Sequence, residues 1–129
     1  EISTENELGN ELERIFLGTG VDIKRLNILF RNFGILNVIS SLHPKLRPIA
    51  HLLGADLLQR DGRLRDAIKF YENAREMIDS SLQTENDDSN VQLSRFSAQY
   101  FEQAAELAEK LKMYDKAIRF RGYARFLRY

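Results

Sequence analysis

Histidine, cysteine and clustered carboxylates are the side chains through which most enzymes and metal sites act. This 129-residue sequence has no cysteine and only two histidines, His43 and His51, which lie eight residues apart across Pro44 and Pro48. No acidic residue stands at a metal-ligand spacing from either histidine, so we interpret them as a turn residue and a packing residue. We therefore expect no metal site and no cofactor.

Two further signatures of catalysis are missing from the sequence. Gly18-Thr19-Gly20 lacks the additional glycines and the lysine of a phosphate-binding loop, and it fits a helix stop followed by a turn equally well. There is no Ser-His-Asp or Cys-His arrangement, and the carboxylate pairs lie on predicted helix faces without a neighbour that would perturb them. We predict that the protein is not an enzyme.

Charge is balanced in total but not along the chain. Lys and Arg number 19, Asp and Glu number 19, and apolar residues make up 43% of the sequence, which predicts one folded domain. Residues 76–90 carry a net charge of −5 and residues 110–129 carry +6. The neutral total argues against non-specific binding to nucleic acids or membranes, while the local blocks leave room for a charged partner. No apolar run approaches the roughly 20 residues that cross a bilayer, so we expect a soluble, cytoplasmic protein.

The elements that position these residues are predicted to be helices throughout. Apolar residues recur every three or four positions and never alternate over the length of a strand. Residues 1–44 are predicted to form a helix that starts after Thr4, a second that starts after Asp22, and a break near Gly34. They match no pattern that we can name.

Residues 45–128 are predicted to form two antiparallel helical hairpins. In the first hairpin, a helix of about residues 45–60 is followed by a short turn and by a second helix that carries Leu64. In the second hairpin, a helix of about residues 91–111 is followed by the last helix of the sequence. Between the hairpins, residues 79–90 are the most polar stretch of the chain. We predict an acidic, exposed loop there, apart from first residues that can finish the preceding helix.

The two hairpins share a sequence pattern 50 residues apart. The first contains Gly62-Arg63-Leu64-Arg65-Asp66-Ala67-Ile68-Lys69-Phe70-Tyr71-Glu72-Asn73-Ala74, and the second contains Lys112-Met113-Tyr114-Asp115-Lys116-Ala117-Ile118-Arg119-Phe120-Arg121-Gly122-Tyr123-Ala124. The first resembles the second half of a tetratricopeptide repeat: a turn glycine, a large apolar residue, Ala-Ile, an aromatic residue and an alanine. The second repeats it with lysine for the glycine and arginine for the aromatic residue. The spacing exceeds the family's repeat of about 34 residues, which implies an insertion. The first hairpin also resembles the microtubule-interacting and transport domain.

The resemblance to tetratricopeptide repeats covers about residues 45–128. It implies an all-α fold of antiparallel hairpins stacked as a superhelix. From composition we expect these hairpins to belong to a single domain spanning residues 1–129. Small residues would let paired helices approach closely. In this sequence they are Ala55, Ala67, Ala74, Ala105, Ala117 and Ala124.

The resemblance also implies a groove lined by the first helix of each hairpin. The family's ligand-facing positions correspond to Ile49, Leu52, Asp56, Gln59, Arg60, Gln99, Glu102, Glu106, Glu109 and Lys110. Three of them, Glu102, Glu106 and Glu109, fall on one helical face, where they could receive Lys or Arg of a partner peptide or helix. The alternative interpretation is a solvated helix face.

The last predicted helix mixes basic and aromatic residues. The mixture comprises Lys116, Arg119, Phe120, Arg121, Tyr123, Arg125, Phe126, Arg128 and Tyr129. It could contact RNA through phosphates and stacked bases, although a capping face or a surface that packs on a neighbouring chain is the commoner meaning.

Three functional hypotheses follow. The preferred one is a non-enzymatic adaptor that binds a peptide or helix, possibly a basic one, of another protein in the groove. The second is a structural segment of a larger scaffold, or a homo-oligomer, in which Phe120, Tyr123 and Phe126 pack against a neighbouring chain. The third, nucleic-acid binding by the last helix, is the least favoured.

Overall fold

The computed structural model describes residues 28, 31, 46–84 and 88–128. Four helices occupy nearly all of the last two ranges: α1 (Arg47–Arg60), α2 (Leu64–Thr84), α3 (Asp88–Lys110) and α4 (Tyr114–Arg128). No strand occurs among the described residues, so the all-helical prediction is confirmed for them. The helices predicted within residues 1–44, His43, the Gly18-Thr19-Gly20 segment and Tyr129 lie outside this part of the chain.

Helix α1 is buried around its whole circumference. Pro48 lies in the first turn, where its missing N–H costs no helical hydrogen bond. The eight consecutive residues from Pro48 to Ala55 are all buried, which covers more than two turns of the helix. The other three helices alternate buried and exposed residues with the helical period, as surface helices do.

The turn between α1 and α2 is a Schellman motif centred on Gly62. The Arg63 N–H donates to the Leu58 carbonyl at 2.9 Å, and the Gly62 N–H donates to the Gln59 carbonyl at 3.1 Å. Gly62 adopts a φ of +83°, a left-handed conformation that glycine accepts without strain. The motif ends α1 and turns the chain back into α2.

The turn between α3 and α4 repeats this motif 50 residues later. The Met113 N–H donates to the Ala108 carbonyl at 2.8 Å, and the Lys112 N–H donates to the Glu109 carbonyl at 2.9 Å. Lys112 takes the place of the glycine with a φ of +62°. The internal repeat in the sequence is therefore matched by a repeat in turn geometry.

Small and aromatic residues form the core that joins the two hairpins. Tyr71 of α2 contacts Phe101 of α3 and Phe120 of α4, with ring centroids 6.4 and 6.3 Å apart. The six alanines predicted at helix contacts, Ala55, Ala67, Ala74, Ala105, Ala117 and Ala124, are all buried. Alanine at these places leaves room for the large rings between the hairpins.

The loop predicted at residues 79–90 is wrong over most of its length. Helix α2 continues to Thr84, and α3 begins at Asp88. Polar composition suggested a loop, but Ile78 is fully buried and Leu82 packs against the core, so the apolar period of α2 extends into this stretch. Helices α2 and α3 therefore account for nine of the twelve residues of this stretch.

No helix among the described residues combines the length and apolar character needed to span a membrane.

Candidate partner-binding surfaces

A cluster of hydrogen bonds ties α1, α2 and α3 together. The Gln103 side-chain amide of α3 donates to Asp56 Oδ1 of α1 at 2.7 Å and to the Tyr71 hydroxyl of α2 at 3.0 Å, and it lies 3.1 Å from Gln59 Oε1. The Tyr71 hydroxyl in turn donates to Gln59 Oε1 at 3.2 Å. Asp56 and Gln59, which the sequence placed in a ligand groove, therefore hold the protein's own helices together.

The two tyrosines nearest this cluster stay protonated far into the alkaline range. Burial is the main cause that raises the pKa of Tyr100 to about 12, and the Asp56 carboxylate adds to it. Burial, with a smaller contribution from Asp56, also raises the pKa of Tyr71. Both phenols therefore stay neutral, and that of Tyr71 takes part in the hydrogen bonds of the cluster.

The remaining groove residues of α1 lie in different environments. Ile49 and Leu52 are 1% and 0% exposed, so a partner cannot contact them in this conformation. Arg60 is exposed, and its Nε lies 3.0 Å from Asp56 Oδ2. The structure thus brings Asp56, Gln59 and Arg60 to one surface but puts the two apolar positions in the core.

The acidic row of α3, which comprises Glu102, Glu106 and Glu109, faces outwards, and two of its three carboxylates form ion pairs with α4. Gln99, Glu102 and Glu106 face solvent and Glu109 is half-buried, as their shared helical face requires. Arg128 of α4 lies 2.7 Å from Glu102, and Arg121 forms a close ion pair with Glu109. The Arg121 guanidinium lowers the pKa of Glu109 through this hydrogen bond.

The acidic row and the basic helix are thus one surface. The hydrogen bond with Glu109 is the main cause that raises the pKa of Arg121. The negative charges of Glu106 and Glu102 raise it further. The sequence predicted the acidic residues of α3 and the basic residues of α4 as two separate interfaces, because it does not show that α3 lies beside α4. Of the acidic row, Glu106 has no ion pair with a described residue.

The inner face of α4 belongs to the core and not to an interface. Phe120 and Tyr123 are 3% and 5% exposed. The Tyr123 ring meets Phe101 edge-on with centroids 4.9 Å apart, and its hydroxyl donates to Asp79 Oδ1 at 2.6 Å. The expectation that Phe120 and Tyr123 pack against a neighbouring chain is wrong for this conformation, because both lie on the same helical face as buried Ala124.

Contacts of α2 hold α4 in place. The Arg75 guanidinium lies over the Tyr123 ring, 4.7 Å from its centroid. Lys116 of α4 donates to Glu72 of α2 at 2.8 Å. Beside these contacts the two helices enclose an open cleft of about 220 Å³, lined by Glu72, Arg75, Glu76, Asp79, Lys116, Arg119 and Phe120. Its three acids and three cations cancel, so it selects no ligand charge.

The outer face of α4 carries large apolar side chains that are mostly exposed, although the Phe126 ring stacks on that of Tyr123 with centroids 5.8 Å apart. Tyr114, Ile118 and Phe126 are 59%, 70% and 61% exposed. With Gly122 they are spaced by four residues, which forms a ridge along one side of a helix. A Cβ atom built on Gly122 would meet no described atom within 4 Å outside its own stretch of helix. We call Tyr114, Ile118, Gly122 and Phe126 the outer row.

Tyr114 and Ile118 belong to the same helix as buried Ala117 and Leu127, but they lie on its exposed side. The signal that separates them was present: residues 117, 120, 124 and 127 fall on one side of a helix with 3.6 residues per turn, and residues 114 and 118 fall on the other. The cluster around Gln103 had no such signal, because its members come from three helices.

His51, which the sequence predicts to be a packing residue, lies in the core. His51 is buried, its Nδ1 lies 3.1 Å from the Arg47 carbonyl oxygen, and its ring lies 5.2 Å from that of Phe70. Burial lowers its pKa, which fits the packing role predicted for it. Among the described residues, no three His, Asp or Glu side chains cluster as metal ligands.

Comparisons of the chain with protein-family models, with curated proteins and with solved structures gave no match.

Proposed function

We propose that the protein is a non-enzymatic protein-interaction module that binds a helix of a partner protein on the outer face of α4. The observation that carries this proposal is the outer row, in which three large apolar side chains are each more than half exposed along one helical ridge. A contiguous exposed apolar strip of this kind marks a binding site more often than a single exposed residue does. Helices recognise such ridges through their own i, i+4 spaced side chains.

The internal repeat supports the same surface. Ile118 is the counterpart, 50 residues later, of Ile68 in the first hairpin. Ile68 is 1% exposed, whereas Ile118 is 70% exposed. An apolar residue that the first hairpin buries is thus left open in the second. Such an open apolar face is what a hairpin of a tetratricopeptide-like stack offers to an element that packs against it.

The fixed position of α4 also favours a binding role. Tyr123 with Asp79 and Lys116 with Glu72 fasten its inner side to α2. A partner therefore meets a helix that is already ordered, so little conformational entropy is lost on binding.

The groove between α1 and α3 is the weaker candidate surface. Its apolar members Ile49 and Leu52 are buried, and Asp56 and Gln59 are engaged with Gln103. A peptide there would find mainly Gln99 and Glu106. Binding of this kind would depend on polar contacts alone, which give little affinity in water.

Site-specific photo-crosslinking tests the proposal. A photoreactive phenylalanine analogue placed at Phe126 is compared with the same analogue at Asn73, an exposed residue of α2. In lysate from cells that express the protein, we expect one discrete adduct from position 126 and none from position 73. The adduct should disappear when Ile118→Asp is added, while helicity and thermal stability stay unchanged because Ile118 is 70% exposed.

Two results would overturn the proposed function. One is the absence of any discrete adduct from position 126. The other is an adduct of equal yield from both positions, since that would reflect non-specific contact.

A further inference from the structure

We infer that the helix bound by the outer row is acidic: an amphipathic helix of another protein whose apolar stripe is flanked by Asp or Glu. This inference rests on the proposed function and adds the chemistry of the partner. It comes from the charges that border the row and from the glycine at its centre.

Helix α4 carries five cationic side chains, of which three are already neutralised. Lys116 pairs with Glu72, Arg121 with Glu109 and Arg128 with Glu102. The other two, Arg119 and Arg125, are exposed and form no ion pair with a described residue. Three of the five cations are thus held in ion pairs, while Arg125 and Arg119, which also lines the cleft beside α2, have no such pair with a described residue.

The two unmatched arginines border the outer row on opposite sides. At about 100° per residue, Arg125 lies to one side of the line through Ile118 and Gly122, and Arg119 lies to the other. Asp115 is exposed near the start of the helix, where it suits the helix dipole. The apolar strip therefore has a predominantly positive rim, which selects a partner with a negative one.

A second copy of this chain fits the rim poorly. In a pair of α4 helices the four unmatched arginines would be offset by only two aspartates. Their mutual repulsion would oppose association. A helix of fifteen residues is about 22 Å long and about 10 Å wide, so one face offers less than the roughly 800 Å² per partner of a standard interface. Such a small contact cannot carry unfavourable charge.

Gly122 is the second sign of a partner. Glycine weakens the middle of a helix, and among the described residues no atom outside this stretch of α4 approaches closely enough to require it. At the centre of an exposed apolar ridge, the missing side chain gives a partner's helix room for close approach. The glycine is thus explained by what binds outside the chain.

Two synthetic helical peptides serve as probes of the partner's charge. They share one leucine stripe, and its flanking residues are Glu in one peptide and Lys in the other. Binding to the full chain is measured by fluorescence anisotropy at low and at physiological ionic strength. We expect the acidic peptide to bind about tenfold more tightly at low salt, with a smaller ratio at higher salt.

The matched variants carry equal changes of charge at two places. Arg119→Glu with Arg125→Glu should reverse the preference, so that the basic peptide binds more tightly. Arg65→Glu with Lys69→Glu changes two exposed cations of α2 by the same amount and should leave the preference in place. Gly122→Leu should weaken the acidic peptide at least tenfold without loss of helicity.

Equal binding of the two peptides would overturn the inference, as would an equal effect of the α2 variant. It would also fall if neither peptide bound while sedimentation showed a dimer disrupted by Ile118→Asp, because the occupant would then be a second copy. Salt-sensitive RNA binding lost with the two arginines would overturn it too. If the two peptides bound equally, or if the α2 variant had an equal effect, a specific photo-crosslinked adduct from position 126 would still support the proposed function.

Discussion

The two hairpins place the same dipeptide in opposite environments. Ala67-Ile68 and Ala117-Ile118 both begin the second turn after a Schellman motif, and both alanines are buried. The isoleucines differ, since Ile68 is 1% exposed and Ile118 is 70% exposed. Repetition of sequence therefore reproduces the turn and the close helix contact, while burial depends on whether another element covers the outer face.

The aromatic position of the pattern shows the same difference. Tyr71 is fully buried and contacts Phe101 and Phe120, which belong to the second hairpin. Its counterpart Arg121 is exposed and pairs with Glu109 inside its own hairpin. In the first hairpin, the aromatic position of the pattern is buried against the second hairpin. In the second hairpin, the same position is exposed and ion-paired, and the outer row is exposed as well.

The largest effect is expected from truncating the two isoleucines. Ile68→Ala should lower the free energy of unfolding by about 2–5 kcal/mol, because it leaves a cavity in the core. Ile118→Ala should change it by less than about 0.5 kcal/mol, because little area is lost from contact. Urea denaturation followed by circular dichroism measures both. Similar losses from the two variants would show that the outer row is covered in solution.

Alkaline pH should weaken the contact between the hairpins next. The pKa of Tyr100 is about 12 in the folded protein and about 10 when unfolded. The unfolded chain therefore releases the proton first, and stability falls as pH rises from about 10 to 12, by up to about 1.4 kcal/mol per pH unit for this tyrosine. In Tyr100→Phe the fall should be less steep over the same range. An unchanged slope would contradict the burial of this phenol.

The two turns should respond in opposite directions to substitution. Lys112→Gly should stabilise the protein by about 1 kcal/mol, because glycine relieves the left-handed φ of +62°. Gly62→Ala should destabilise it by about the same amount, since strain and not crowding opposes a Cβ there. Thermal unfolding measures both changes. A loss of stability in Lys112→Gly would mean that the second turn is not a true copy of the first.

The smallest expected effect concerns the glycine of the outer row. Gly122→Ala should raise the free energy of unfolding by about 0.5–1 kcal/mol, because alanine is the better helix former and meets no neighbour. The same change should weaken a helix bound to the outer row. Denaturation and peptide binding, measured on one sample, test both parts. Destabilisation by alanine would indicate that something already packs against this position.

The helices and turns could be predicted because their signals are local. Apolar spacing identified the four helices, and Gly62 together with the 50-residue repeat identified the two turns. The loop prediction for residues 79–90 was wrong because eleven polar residues surround Leu82 there. They hid the apolar helical period that continues from Ile78 to Leu82. The polar composition of this stretch thus concealed the one apolar residue, Leu82, that packs against the core.

The surfaces could not be predicted to the same extent, because they depend on which helices lie side by side. Phe120 and Tyr123 look like interface residues among arginines until α2 and α3 are placed against them. Asp56 and Gln103 lie 47 residues apart, and no spacing rule links them. The exposed outer row follows only from knowing which side of α4 is already occupied.

Hydroxyl-radical footprinting of the full chain, with and without the acidic probe peptide, tests the central claim most directly. Tyr114, Ile118 and Phe126 should lose reactivity when the peptide binds, while Val91 of α3, which is 48% exposed, should react as before. That result would place the partner on the outer face of α4. Protection of Val91 or of the α1–α3 surface, with the outer row unchanged, would contradict the account.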